Sequence, residues 1–193
     1  MKRSIALVFA ILLGFQAFAH TSVAISGIAS VDLSSQLSLD EAVSAFQTKD
    51  PFCGLGWEVV IDEVGLGGTY LVNFFQTSSA DWWLDWYGEG LYLSYHLFGA
   101  GALIDPFVRA GIGCAGRVIL AGDAGAAEPL AISVFPFVGA GADIRLGALN
   151  LGATVDYLPR TSGIPATLIQ AYPLGRFQTS VLAGFKLGGG RRR

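Results

Sequence analysis

An all-β, closed, antiparallel eight-stranded transmembrane up-and-down β-barrel is the fold this chain predicts. Three observations point there. Apolar residues alternate with small or polar ones along eight segments. The connections between those segments run long, short, long, short. No run of eighteen apolar residues follows the N-terminal leader, so no helix is available to cross a membrane. Composition agrees: of 193 residues 52% are hydrophobic and only 14% charged, with mean hydropathy +0.54. Soluble domains carry about 25% charged residues. A chain this apolar is too hydrophobic for disorder, and its 26 glycines follow no collagen period.

The leader comes first. Lys2 and Arg3 precede an apolar stretch from Ile5 to Phe15, and Ala17-Phe18-Ala19 supplies a small-x-small cleavage pattern. Residues 1–19 read as a signal peptide cut after Ala19, too short in its apolar part to span a bilayer. Losing Lys2 and Arg3 from twelve Lys+Arg leaves ten against fifteen Asp+Glu, a net charge of −5. So acidic a chain argues against nucleic-acid binding.

Within a strand, residues of one parity share a face. In 22–33, Val23, Ile25, Ala29, Val31 and Leu33 oppose Ser26, Ser30 and Asp32. In 53–61, Leu55, Trp57, Val59 and Ile61 oppose Gly54, Gly56 and Glu58. In 64–75, Val64, Leu66, Tyr70, Val72 and Phe74 oppose Gly65, Gly67, Thr69 and Asn73. The pattern repeats in 106–118, 131–145, 149–158 and 177–187, where Arg109, Arg117, Asp143, Arg145, Asp156 and Lys186 sit on the small or polar parity. Segment 84–97 is irregular, because Asp85 and Glu89 fall with the apolar residues. Either a bulge near Gly88–Gly90 re-phases it, or its first half projects beyond the bilayer.

Eight strands of this length suit a tilted crossing of about 9–11 residues. The connections are 34–52, 62–63, 76–83, 98–105, 119–130, 146–148 and 159–176. Long ones alternate with short ones, as in a barrel with both termini on the periplasmic side. The first could hold a short helix from Leu39 to Gln47, with Ser38 as its cap. Closure leaves no free edge in hydrocarbon, and an eight-stranded lumen is only wide enough for side chains to fill. The charged parity should therefore line the lumen as a structural polar network of Asp32, Glu58, Arg109, Arg117, Asp143, Arg145, Asp156 and Lys186, four of each sign. Arg109 should lie opposite 139–141 and reach Asp143 diagonally.

Signal peptide, alternating segments and loop rhythm together resemble the small outer-membrane β-barrels, broadly the type of outer membrane protein A or W. The resemblance covers essentially all of 20–187, within a barrel domain of 20–188, and implies location in the cell outer membrane. It implies outer-membrane lipid and the barrel assembly machinery as partners, with a monomeric barrel. No cofactor, metal or catalytic residue is expected, and the implied role is envelope structure with surface-exposed, adhesin- or antigen-like loops. A narrow channel for small or hydrophobic solutes is the second reading, and a hydrolase a remote third. The chain departs from the type in its ending, where Phe185-Lys186-Leu187 is followed by a basic tail, 189–193, instead of a terminal aromatic residue.

Four features need an ordinary explanation. Gly111-Ile112-Gly113-Cys114-Ala115-Gly116 matches a dinucleotide fingerprint, but the period of two runs through it to Val118 where a helix should begin. Cys53 and Cys114 fall on the outward parity of non-neighbouring strands, too far apart for a disulfide. Trp57, Trp82, Trp83, Trp86 and Tyr87 read as interface aromatics. Finally, Ser94 and His96 share the inward face two residues apart. About 7 Å of strand separates them, a spacing that reads as too long for a direct bond.

Overall fold

In a computed structural model the chain forms one closed sheet in the order β1 to β8, each strand antiparallel to its neighbours and β1 closing on β8. The structure describes residues 21–33, 39–48, 51–76, 82–99, 101–121, 131–159 and 176–188. The strands are β1 (Thr21–Asp32), β2 (Phe52–Ile61), β3 (Val64–Gln76), β4 (Trp82–His96), β5 (Ile104–Ala121), β6 (Ala131–Leu146), β7 (Leu149–Leu158) and β8 (Arg176–Gly188). Among the described residues one helix, α1 (Leu39–Thr48), follows β1. The proposed leader and the basic tail 189–193 lie outside the described residues. Both ends of the barrel chain, Thr21 and Gly188, meet at one rim, here called the terminal end.

Alternation places the faces. Leu55, Leu93, Ile112, Val134 and Phe185 point out and are more than half exposed, while Glu58, Ser94, Arg109, Phe135 and Lys186 point in and are buried. The glycine run 111–116 is strand throughout, so the dinucleotide reading falls away. Its glycines serve packing: a Cβ at Gly113 would strike the Phe135 ring. Cys53 and Cys114 are free, on strands that are not neighbours in the sheet.

β4 resolves its own ambiguity. Gly88 pairs with Cys114 but Leu91 with Ile112, three steps on β4 against two on β5, and the β3 side shifts at the same level. That extra residue is a bulge, which bends a strand and changes its phase. Asp85, Tyr87 and Glu89 therefore point inward before it, and Tyr92, Ser94 and His96 after it.

The helix lies against the outer wall near the loop end. Ala45, Ala42 and Phe46 pack on Val31, Leu33 and Phe177, all of outward parity, and so bury Val31 and Leu33. A lone amphipathic helix of ten residues is marginal in water; this apolar seam holds it. Turns at the terminal end are tight. Asp62-Glu63 joins β2 to β3 with Asp62 at φ +54°, and Gly147-Ala148 joins β6 to β7 with Gly147 at φ +69°.

Candidate functional site: the filled lumen

The barrel interior is occupied in layers. Toward the loop end, Ile28, Phe52, Leu71, Tyr87, Ala115, Phe135 and Leu158 form an apolar cluster, with Leu182 packed against it. Tyr87 stacks on Phe135 at 5.8 Å between centroids and 18° between planes. Tyr87 is thus a lumen residue, not an interface aromatic: Asp85, Tyr87 and Glu89 share one inward face ahead of the bulge. Trp57 does face outward, and Trp86 lies half-buried over Gly116. Trp82 and Trp83 open β4, and their side chains lie outside the described residues.

Arg109 is the centre of the middle layer. Its Nε donates to Asp156 Oδ1 at 2.8 Å and its Nη2 to Asp156 Oδ2 at 2.6 Å, a bidentate pair. Nη2 also lies 3.1 Å from Glu89 and 3.2 Å from Thr154 Oγ1. Its guanidinium carbon sits 4.9 Å from the Tyr92 ring centroid and 5.7 Å from that of Phe137. Charge-assisted bidentate geometry and two ring faces are what a buried guanidinium needs to offset its lost hydration. The expected partner, Asp143, is instead 3.7 Å from Lys186 Nζ. Arg109 does pair with Gly139 across β5 and β6, as the hairpin arithmetic requires. Gly139 in turn pairs with Asp156 on β7, one strand further on, and that is where the side chain goes.

Near the terminal end, His96 holds a third group of polar side chains. Its Nδ1 is 2.7 Å from Asp105 Oδ2 and its Nε2 is 3.3 Å from Glu58 Oε1. Ser94 Oγ lies 3.2 Å from His96 Nε2 and donates to Glu58 Oε1 at 2.6 Å. The distance expected between Ser94 and His96 is therefore wrong. Their Cα atoms are a two-residue step apart, but the side chains lean together over Gly65, where a Cβ would strike Ser94 Oγ.

Serine, histidine and aspartate stand here in the order of a nucleophile triad, but Glu58 joins them as a second carboxylate on the histidine. An imidazole that donates to carboxylates from both nitrogens keeps no lone pair for a serine proton. Glu58 already accepts that proton. Ser94 and His96 are both buried.

Of the eight residues expected in the lumen network, Glu58, Arg109, Asp143, Asp156 and Lys186 are buried in the lumen. Asp32 and Arg117 are strand residues whose side chains lie outside the described ones. Arg145 is a correction: it is half-buried at the terminal rim, with Nε and Nη2 donating to the carbonyls of Gly147 and Gly188. Being next to the two-residue turn, it reaches backbone before it reaches the interior. The balance of four against four does not hold either, since Asp85, Glu89, Asp105 and His96 are also buried. Asp85 and Glu89 had announced themselves by breaking parity. Asp105 gave no such signal, because 98–105 reads as turn.

Among the described residues, a lumen cavity beside these groups holds ≈ 30 Å³. Asp143 and Asn150 line it, and their Oδ1 atoms have no protein partner. That is room on the scale of single waters, not of a solute. No group of metal-ligating side chains occurs among the described residues.

No protein-family profile and no curated protein matches the chain. Solved structures do. The N-terminal β-barrel domain of Pseudomonas aeruginosa OprF aligns with TM-score 0.55 and 15% identity, covering 86% of this chain and 97% of that one. Ail, the attachment invasion locus protein of Yersinia pestis, in complex with the heparin analogue sucrose octasulfate, gives 0.53 and 14%, over 86% and 97%. OprG, an outer membrane protein of Pseudomonas aeruginosa, gives 0.51 and 15%, over 88% and 97%. The fold of this chain is that of the small eight-stranded outer-membrane barrels.

Proposed function

We propose that the chain is exported, cut after Ala19, and inserted by the barrel assembly machinery as a monomeric, non-enzymatic barrel of the outer membrane. Its role is envelope structure and display of the connections 34–52, 119–130 and 159–176 at the cell surface. The observation that carries this reading is a closed barrel apolar outside and filled inside. Outward Leu55, Ile112, Val134 and Phe185 are 61–65% exposed, a surface that water would not tolerate over a whole barrel and hydrocarbon would. Among the described residues the ion-paired layers and the apolar layer occupy the lumen with buried side chains, which speaks against the channel reading.

These surface connections carry Asp40, Glu41, Asp50, Asp123 and Glu128 against Lys49, Arg160 and Arg176. A polyanion such as the heparin analogue bound to Ail is thus an unsuitable ligand for this surface. The test is reconstitution of the mature chain in liposomes, with gels run before and after boiling and single-channel recording alongside. A heat-modifiable band and silent bilayers are expected. Conductance steps would put the channel in first place, and a chain soluble without detergent would overturn the membrane reading.

A further inference from the structure

We infer that the turn between β4 and β5 is inserted into the periplasmic-side leaflet, so that the terminal end of the barrel does not meet the membrane surface evenly. The inference rests on the outer-membrane reading and adds to it a lipid contact made outside the strands. Three observations carry it.

The first is length. Two residues suffice to reverse the chain at Asp62-Glu63 and at Gly147-Ala148, whereas β4 and β5 are joined by 97–103. The extra residues do something other than turn the chain. The second is chemistry. No charged residue occurs from 97 to 104, and Phe98 and Leu103 are 68% and 62% exposed, with Leu97 and Ile104 also more than half exposed. This patch continues the outward belt of Tyr95 and Val108 without a break. The neighbouring β2–β3 turn, by contrast, presents Asp62 and Glu63.

The third is hydrogen bonding. Backbone groups in or near hydrocarbon must find partners within the protein. Here Leu97 N–H donates to Pro106 O at 2.9 Å, Ala102 N–H to Gly99 O at 3.2 Å, and Leu103 O accepts from Arg145 N–H at 2.8 Å. Phe98 N–H donates to the buried Asp105 Oδ1 at 3.3 Å. A turn meant for water has no need of a lumen carboxylate to satisfy its amide. Apolar side chains on a backbone bonded at these points within the protein, continuous with a lipid-facing belt, fit a bilayer better than the periplasm.

Fluorescence quenching tests this. In a Cys53→Ala, Cys114→Ala background, single cysteines are introduced as Phe98→Cys, Asp62→Cys and Ile112→Cys, labelled with an environment-sensitive dye, and reconstituted in phosphatidylcholine vesicles. The label at position 112 reports on the barrel reading alone and should be quenched by doxyl lipid and shielded from aqueous iodide. If it is open to iodide, the membrane reading itself fails. With position 112 behaving as expected, the label at 98 should follow it, with iodide quenching at least several-fold weaker than at 62. Iodide quenching at 98 equal to that at 62 would overturn the inference. So would shielding at 98 from both quenchers, which would mean that protein covers the turn.

Discussion

Arg109 and Asp156 face each other across the lumen two strands apart and share two hydrogen bonds, 2.8 and 2.6 Å long. Gly139, on the strand between them, makes the contact possible: a Cβ there would strike the Asp156 carboxylate. With Glu89 also on Arg109, this buried pair ties β4, β5 and β7 together.

Removing the guanidinium should therefore be among the most damaging single changes. Arg109→Ala leaves Asp156 and Glu89 buried and uncompensated, a loss of about 3–5 kcal/mol. Arg145→Ala, at the rim, should cost under about 1 kcal/mol. Urea unfolding in lipid or detergent compares them, and equal midpoints would show that Arg109 is not the centre of the network. A double-mutant cycle should return a larger coupling for Arg109 with Asp156 than with Asp143.

Gly65→Ala should destabilise through crowding, because the new methyl meets Ser94 Oγ and Glu58 Oε1 in a full layer. The expected loss is about 1–3 kcal/mol. Gly147→Ala has nothing within 4 Å of the added carbon and pays only for its φ of +69°, about 1 kcal/mol. Unfolding midpoints should rank them in that order.

The serine beside the histidine should prove inert. A fluorophosphonate probe is expected to leave the folded barrel unlabelled, since Ser94 is buried and its proton is held by Glu58. Labelling that disappears in Ser94→Ala would establish an active nucleophile and require an opening of the terminal end.

Phe135→Ala removes a fully buried ring that stacks on Tyr87, at about 3–5 kcal/mol. Bilayers should nevertheless stay silent, because the Arg109 layer still closes the lumen. Conductance appearing in the single variant would locate the whole seal in the apolar layer.

Much of this was legible in the chain, and the limits of legibility have a physical cause. In β6, Ile132 to Ile144 on one parity and Ser133 to Arg145 on the other already give the inward and outward faces, because a strand's period of two is a local property of the backbone. Wherever that period ran unbroken, as in β2, β3, β5 and β7, faces and strand number followed. Where it broke, at Asp85 and Glu89, two readings survived, since a bulge is one extra residue that only the neighbouring strands can count. Tyr87 was misplaced for the same reason.

The ion pairs needed more still. Parity put Arg109, Asp143 and Asp156 on one face but could not say which carboxylate the guanidinium meets. That depends on the stagger of three strands, on the reach of each side chain, and on glycines such as Gly139 and Gly65 that leave the space. Strand alternation alone prescribes a barrel, its inside and its outside. Closure of β1 on β8 and the bulge in β4 decided its contacts, because side chains in so narrow a lumen pack against residues from every strand at once.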